Sequence, residues 1–268
     1  MGTVCVVGSL NIDLVTRVST HPHPGETVRG DGLARLPGGK GANQALAAAR
    51  AGARTRLCGR IGSDEIGEVY RQGLSARGID CDAVLVVPDM PSGHALIAVD
   101  RNGENTIVVI SGANAALTDV DRHTEAIASA NVLLLQLEIP MPSVLRAAAL
   151  AAQHDVRVIL NPSPWVIPPA ELLAIADPLI VNEHEAAQLP SNTRSVCITL
   201  GERGALWDDL SVAAPRGNII DTTGAGDAFA GALAAALANG SDRAAALRRA
   251  VAAGTEACGW PGAQGWQL

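Results

Sequence analysis

The chain has 268 residues, of which 48% are hydrophobic and 18% are charged, and its formal net charge is −7. This composition is typical of a globular protein and excludes a disordered chain. Aromatic residues make up 2% of the chain, so we expect no base-stacking platform, and the negative charge argues against a broad nucleic-acid-binding face. No apolar stretch reaches the roughly 18 residues that a membrane span requires, so no membrane partner is expected.

The five cysteines are scattered along the chain and form no C-x-x-C pair. An odd number of cysteines in mostly apolar surroundings predicts buried, reduced thiols and favours a cytoplasmic location over a disulfide-linked scaffold. Residues 1–8 carry no basic region and no long apolar stretch, so no signal peptide is expected.

Short β-branched segments alternate with alanine-rich helical segments, which is the pattern of β-α-β units around a parallel sheet. The predicted strands are residues 4–7, 56–58, 132–136, 156–160, 179–181 and 196–200. The predicted helices are residues 41–51, 64–76, 142–153, 183–189, 225–238 and 242–257. We therefore expect an α/β body with a mostly parallel central sheet.

A second pattern, of short strands with polar turns, interrupts this alternation. These strands are residues 14–18, 26–36, 84–87, 95–99 and 105–110. The last two are joined by Asp-Arg-Asn-Gly, in which Asn-Gly supplies the positive φ angles of a tight hairpin turn. We predict a small β-sheet lid, drawn from about residues 14–18, 26–36 and 84–110. No linker separates it from the body, so residues 1–268 are expected to form a single domain.

Polar residues follow most of the predicted body strands. They are Asn11, Asp13, Glu138, Asn161, Asn182, Glu185, Thr199 and Gly201. One such residue alone is usually a helix cap or part of a turn. Ligands bind beyond the carboxyl ends of the strands in an open α/β sheet. Polar residues after several strands therefore favour a ligand site at that edge.

The sharpest motif is DTTGAGDAFAG at residues 221–231. Gly224, Ala225 and Gly226 lead directly into a helix, so their amides would be unpaired at the helix N-terminus and open to a phosphate. Asp227 in the first turn is either an acid favoured by the helix dipole or a base that takes a proton from an attacking hydroxyl. A carboxylate beside an anion site favours the second interpretation, because it would face the phosphoryl acceptor.

A second glycine-rich segment, PGGKGANQA at residues 37–45, places Lys40 and Asn43 where a backbone can approach a ligand closely. It is not a Walker A loop, because Gly41 follows the lysine where Ser or Thr would stand. No G-x-G in the chain continues to G-x-G-x-x-G, which disfavours a nicotinamide-dependent oxidoreductase. Alone, a glycine-rich turn before a helix is more often architecture than a site.

With these two segments the sequence resembles the PfkB family of carbohydrate kinases, and within that family the ribokinase branch. The resemblance covers nearly the whole chain in the family's order. The matching segments are residues 8–13, 24–27, 38–44, 112–115, 136–138, 161–164, 182–185, 198–201 and 221–231. It implies a ribokinase-like three-layer α/β/α fold and ATP-dependent phosphorylation of D-ribose at the 5-hydroxyl.

The resemblance also assigns roles to site residues. The sugar would be bound by Asn11, Asp13, Gly39, Lys40, Asn43, Glu138 and Asp227. Asp227 would be the catalytic base, and the amides of Gly224, Ala225 and Gly226 would form the anion hole for the transferred phosphoryl group. The nucleotide would contact Asn182, Glu185, Thr199, Gly201 and Gly226.

The cofactors that the resemblance implies are Mg²⁺, held by Glu185 through water, and a monovalent cation, usually K⁺. The monovalent cation would lie near Asp221, Thr223, Ala257 and Gly262. Trp266 stands where a small polar residue is expected near this cation, so we expect a weaker cation site. The connection at 189–195 and the segment after Gln264 are shorter than the family pattern.

The lid of such an enzyme would close over the sugar to exclude water, and it would also mediate a homodimer. One alternative is a related kinase acting on deoxyribose, fructose or another furanose, because the sugar-binding residues do not count hydroxyls. Another is a catalytically silent regulator that binds sugar or nucleotide, against which the intact motif at 224–227 argues.

Overall fold

The computed structural model describes the whole chain, residues 1–268. Its strands are β1 Thr3–Val7, β2 Asn11–Val18, β3 Gly30–Gly38, β4 Arg54–Gly62, β5 Ile79–Asp80, β6 Val84–Val87, β7 Gly93–Val99, β8 Asn105–Ile110, β9 Val132–Leu135, β10 Arg157–Leu160, β11 Ala176–Asn182, β12 Val196–Thr199, β13 Ala205–Trp207 and β14 Leu210–Val212. Its α-helices are α1 Lys40–Arg50, α2 Glu65–Ser75, α3 Thr124–Ala128, α4 Met141–Gln153, α5 Ala170–Ile175, α6 Glu183–Ala186, α7 Ala225–Ala238 and α8 Arg243–Ala257. Every predicted body strand and helix is present, with shifted ends.

The larger sheet runs in the order β14-β13-β12-β11-β10-β9-β1-β4-β5, with β6 paired to the far end of β4. Its strands from β12 to β5 are parallel, and the β13–β14 hairpin adds an antiparallel edge. Strand β1 pairs with β4 on one side and β9 on the other. The chain therefore reverses its winding direction between β1 and β9, which opens a crevice at their carboxyl ends.

The central strand β1 is buried on both faces. Val4 and Val6 belong to one hydrophobic core, which is shared with α1, α7 and α8. Cys5 and Val7 belong to a second core, which is shared with α3, α4 and α5. Because side chains alternate along a strand, this division means that helices cover both sides of the sheet. The predicted three-layer α/β/α arrangement is confirmed.

The smaller sheet, called the lid sheet below, has the order β3-β2-β7-β8. Strand β2 pairs antiparallel with β3 and parallel with β7, and β7 and β8 form the predicted hairpin. The prediction of a lid strand at 84–87 is wrong, because β6 pairs with residues 59–62 of the body sheet. Four apolar residues in a row suit either sheet, so the pattern does not distinguish them. Residues 26–29 precede β3 as a loop.

No helix combines the length and the apolar character needed to cross a bilayer. All five cysteines are buried, and none is paired in a disulfide.

Candidate active site

The polar residues that follow the strands meet at the carboxyl edge of the body sheet. Asn11 begins the lid sheet just after β1, Glu138 follows β9, and Asn182 ends β11. Thr199 is the register partner of Asn182 on β12. Strand β9, which Glu138 follows, and strand β12, which carries Thr199, are three strand spacings apart in the sheet, or about 14 Å at about 4.8 Å per spacing. The predicted sugar and nucleotide residues therefore occupy adjacent stretches of one edge.

A cavity of about 320 Å³ lies between this edge and the lid sheet, with Asn11, Val109 and Glu138 in its lining. The Asn11 Oδ1 atom accepts a 2.8 Å hydrogen bond from Asn114 Nδ2. Asn114 is itself fixed by bonds to the amide and carbonyl of Leu10. This arrangement leaves the Asn11 Nδ2 donor without a protein acceptor and available to a ligand in the cavity.

Glu138 is held at the start of α1. Its Oε2 atom accepts hydrogen bonds from Ser9 Oγ at 2.6 Å and from the Lys40 amide at 2.9 Å. A carboxylate at a helix N-terminus is stabilised by the helix dipole, so Glu138 is anchored through one oxygen. Its other oxygen and the Lys40 ammonium have no protein partner, which leaves an acceptor and a donor for sugar hydroxyls.

Asp13 is packed against Gly38, where an added Cβ would lie 2.2 Å from Asp13 Oδ2. Burial, reinforced by the charges of Glu138 and Asp227 and opposed by that of Lys40, raises the pKa of Asp13 to about 7. Near neutral pH this side chain is therefore partly protonated and able to donate as well as accept a hydrogen bond.

The glycine-rich segment before α1 packs directly on the turn between β1 and β2. Gly39 has a φ of +85°, and a Cβ there would lie 2.6 Å from the Asn11 amide nitrogen. A Cβ on Gly41 would lie 2.5 Å from the amide nitrogen of Ser9. Glycine is required at both positions, because a side chain would push α1 away from the turn between β1 and β2.

Asp227, in the first turn of α7, is only 7% exposed, and two amides hold it. Asn43 Nδ2 donates to Oδ2, and Gln44 Nε2 donates to Oδ1, both at 2.9 Å. Gln44 also donates to Asn161 at the end of β10, and its own oxygen accepts from Gln136 Nε2 at 2.6 Å. The predicted base is therefore fixed by helix α1 and by the edge of the sheet.

Asn43, which was predicted to bind sugar, lies against this base and does not line the cavity with Asn11. Its Oδ1 atom accepts from Gln264 Nε2 at 2.8 Å, while its Nδ2 atom donates to Asp227. Both ends of its amide are therefore engaged by the protein.

The predicted anion site lies at the start of α7. Gly224 caps the helix with a φ of +80°, and the space where a Gly226 Cβ would stand is open. The amides of Gly224, Gly226 and Asp227 donate to no protein acceptor, whereas the Ala225 amide donates to the Thr222 carbonyl at 3.2 Å. Of the three amides predicted for the anion hole, those of Gly224 and Gly226 are free, and the amide of Asp227 joins them.

The nucleotide end of the edge carries the Asn-x-x-Glu motif as a capping box on α6. Asn182 Oδ1 accepts from the Glu185 amide at 2.9 Å, and Glu185 Oε2 accepts from the Asn182 amide at 2.8 Å. Thr199 Oγ1 donates to the Val181 carbonyl, and Gly201 adopts a φ of +59° beside open space. Glu185 Oε1 has no protein donor, so one oxygen is available to a hydrated cation.

The segment that precedes α7 is tied to the end of the chain through Asp221. Its carboxylate accepts from the amides of Thr223 and Gly262, both at 2.8 Å. Burial opposes ionisation of Asp221, but these hydrogen bonds outweigh it and lower its pKa. Pro261 has no N–H to cap the Ala257 carbonyl, and the carbonyls of Thr223 and Gly262 also accept no hydrogen bond. These unpaired oxygens and one carboxylate suit a hard monovalent cation.

Several residues of the site were not predicted from the sequence. They are Ser9, Gln44, Tyr70, Asn114, Gln136 and Gln264, all of which are buried. Uncharged polar side chains inside otherwise apolar segments were the available signal, because a buried amide or hydroxyl requires a hydrogen-bond partner.

Comparisons with known proteins agree with this geometry. The model of the pfkB family of carbohydrate kinases matches residues 1–267. The ribokinase of Bacillus subtilis is 40% identical over 282 residues, which cover 99% of this chain and 96% of that protein. The bifunctional ribokinase/ribose-5-phosphate isomerase A of Fructilactobacillus sanfranciscensis is 40% identical over 263 residues, covering 88% of this chain. The match spans about half of that longer protein, 49%.

Among solved structures, the Arabidopsis thaliana ribokinase complexed with ribose and ATP gives a TM-score of 0.87 at 31% identity, covering 96% of this chain and 92% of that one. The predicted resemblance and fold are therefore confirmed, and they carry with them an ATP-dependent sugar kinase activity. The chain belongs to the pfkB family of carbohydrate kinases.

Proposed function

We propose that this chain transfers the γ-phosphoryl group of ATP to the 5-hydroxyl of D-ribose, which yields ribose 5-phosphate and ADP. The observation that carries the proposal is the position of Asp227. This buried carboxylate is held by two amide donors and lies in the same helical turn as the unpaired amides of Gly224 and Gly226. A base and an anion site in one turn suit transfer of a phosphoryl group to an alcohol.

In this mechanism the sugar occupies the cavity beside Asn11 and Glu138, whose free polar atoms orient its hydroxyls. Asp227 accepts the proton of the 5-hydroxyl as its oxygen attacks the γ-phosphorus, and the bond from phosphorus to the ADP oxygen breaks. The amides of Gly224 and Gly226 stabilise the charge on the transferring group. Closure of the lid sheet excludes water, which would otherwise compete with the sugar as the acceptor.

Two cations complete the proposal. Mg²⁺, bound through water at the free oxygen of Glu185, would neutralise charge on the phosphates. A monovalent cation, which we propose to be K⁺, would be held by Asp221 and the unpaired carbonyls of Thr223, Ala257 and Gly262. It would add positive charge next to the anion site.

We also propose that the enzyme is a cytoplasmic homodimer joined through the lid sheet. Strand β8 is exposed along its whole length, and its Ile107, Val108, Val109 and Ile110 side chains are between 43% and 55% exposed. Such an apolar strand at the edge of a sheet favours pairing with another chain. Val108→Lys should yield a monomer by analytical ultracentrifugation, and an unchanged sedimentation coefficient would refute this interface.

The test of the catalytic role is Asp227→Asn, which keeps the shape of the side chain and removes its basicity. We expect kcat to fall by about 10³-fold or more, with ribose binding by calorimetry largely retained. Asp242→Asn at the N-terminus of α8 is the matched control, because asparagine also caps helices and should leave kcat unchanged. A normal rate in Asp227→Asn would end the proposed mechanism.

The choice of sugar is tested by measuring ADP release with ribose, deoxyribose, fructose and other furanoses. We expect the highest kcat/KM with ribose. Equal or greater kcat/KM with another sugar would assign the chain to that sugar. Binding of ribose and ATP without ADP release would make it a regulator.

A further inference from the structure

Three hydrogen bonds join four side chains, from Trp266 near the end of the chain to Asp227, the proposed base. Trp266 Nε1 donates to Gln264 Oε1 at 3.0 Å, and Gln264 Nε2 donates to Asn43 Oδ1 at 2.8 Å. Asn43 Nδ2 then donates to Asp227 Oδ2 at 2.9 Å. Gln264 is 1% exposed and Asn43 is 9% exposed, so water competes little for these amides. The Gln264 and Asn43 amides are called the relay below.

The direction of the hydrogen bonds in the relay is fixed by the first donor, the indole N–H of Trp266. An indole N–H can only donate, so the Gln264 atom that faces Trp266 must be its oxygen. Its NH₂ group then faces Asn43, which in turn must present its oxygen to Gln264 and its NH₂ group to Asp227. If Asn43 were reversed, its carbonyl oxygen would meet the carboxylate and the donor would be lost. If Gln264 were reversed, its oxygen would meet Asn43 Oδ1 and would favour that reversal.

A second anchor enforces the same direction. Gln264 Nε2 also donates to the hydroxyl of Tyr70 at 2.5 Å, and that hydroxyl donates to the Gly38 carbonyl at 2.7 Å. A carbonyl can only accept, so the Tyr70 proton is committed to Gly38, and the Tyr70 oxygen must accept from Gln264. Both anchors therefore require the same orientation of the glutamine.

The indole itself is held tightly in place. Its ring fills the space over Gly73, where a Cβ would lie 2.4 Å from Trp266 Cη2. The Arg77 guanidinium lies 3.9 Å from the indole centroid, and the Tyr70 ring centroid lies 5.9 Å away. The Arg50 guanidinium donates to the Gln264 carbonyl at 2.6 Å, which also fixes the backbone.

We infer that Trp266 and Gln264 are positioning residues, which set the orientation of the Asn43 amide and thereby keep an N–H donor on the Asp227 base. The inference rests on the proposed function for the role of Asp227, but the hydrogen-bond direction is a property of the folded chain. The relay controls the chemical step and leaves the cavity beside Asn11 and Glu138 unchanged.

The test uses Trp266→Phe combined with Tyr70→Phe, which keeps both rings and removes the two groups that anchor Gln264, and Gln264→Met, which keeps length and removes the amide oxygen and the NH₂ group. We expect kcat for ribose phosphorylation to fall by about 10-fold in each, with KM for ribose and ATP within about twofold. A loss confined to kcat would place the effect on the chemical step and not on substrate binding.

The matched control is Trp207→Phe. Trp207 also donates its indole N–H, to Ser195 Oγ at 3.1 Å, and also stacks with an arginine, Arg243, at 4.9 Å. It pairs with Cys197 near the amino end of β12, away from the site edge. We expect this variant to keep the wild-type kcat and KM, even where the midpoint of thermal unfolding falls.

A double variant separates positioning from packing. Because Trp266 and Gln264 act on the same amide, Trp266→Phe combined with Gln264→Met should lower kcat no further than Gln264→Met alone. Multiplicative losses, or a wild-type kcat in Gln264→Met or in the Trp266→Phe/Tyr70→Phe variant, would overturn the inference.

A measurement without turnover keeps the inference testable if the proposed function fails. The side-chain NH₂ signals of Asn43 in ¹⁵N NMR spectra, assigned by their loss in Asn43→Ser, should shift and exchange faster with solvent in the Trp266→Phe/Tyr70→Phe variant than in Trp207→Phe. Unchanged Asn43 signals would overturn the relay, whereas absence of sugar phosphorylation by the wild-type chain would overturn the proposed function alone.

Discussion

The titration of Asp13 predicts that stability falls as the pH rises. Its pKa is raised to about 7 in the folded protein, against 3.8 for the ordinary group. The folded state therefore holds a proton that the unfolded state has lost between these two values, and stability decreases with pH in this window. The stabilisation of the folded state by protonated Asp13 is fully present below about pH 4 and is lost as the pH rises through about 7. From pH 5 to pH 8 the deprotonation of Asp13 lowers the free energy of unfolding by about 3 kcal/mol.

Asp13→Asn removes this titration and keeps the shape of the side chain. Urea unfolding should show that the free energy of unfolding of the variant, taken relative to that of the wild type, rises by about 3 kcal/mol from pH 5 to pH 8. Asp31→Asn on the neighbouring lid strand, where the side chain is exposed, is the control and should leave the wild-type pH dependence in place. Parallel pH dependences of the wild type and Asp13→Asn would refute the reasoning.

Three further predictions concern the glycine-rich segments and the cation. Gly38→Ala should raise KM for ribose by about 10-fold with little change in Tm, because its Cβ displaces only the end of the Asp13 side chain; an unchanged KM contradicts this. Gly224→Ala should cost about 2 kcal/mol or more in urea unfolding and also lower kcat, because φ is +80° and the Cβ would lie 2.6 Å from Ala263 Cα. Replacing K⁺ by tetramethylammonium should lower kcat, and equal rates would exclude the proposed cation site at Asp221.

The segments that the sequence predicted well are those whose chemistry is local. A glycine with positive φ, such as Gly39 or Gly224, is recognisable from its neighbours because only glycine adopts that backbone without strain. The strand β6 was assigned to the wrong sheet, because pairing depends on which distant strand supplies the partner. A run of four apolar residues at 84–87 contains no information about that partner.

The amides around Asp227 show a different limit of sequence reasoning. Asn43 lies in the glycine-rich segment, so its sequence position favours a role in sugar binding. Its contacts with Asp227 and Gln264 arise only when α1, α7 and the end of the chain pack together. In the sequence Asn43 is 184 residues from Asp227 and 221 residues from Gln264. Local patterns do not encode such a meeting, although the need of every buried amide for partners limits where it can lie.

The charges around Asp13 show why neutral hydrogen-bond donors suit this part of the candidate site. Asp13, Glu138 and Asp227 are three acids near one another, and Lys40 is the cation that acts on Asp13. Like charges this close favour protonation, as at Asp13, whose pKa is raised to about 7. Asn43 and Gln44 each donate a hydrogen bond to the Asp227 carboxylate, and a neutral amide does so without adding a charge. The orientation of the Asn43 amide is fixed through Gln264 by two anchors: the Trp266 indole, which can only donate, and the Tyr70 hydroxyl, whose proton is committed to the Gly38 carbonyl.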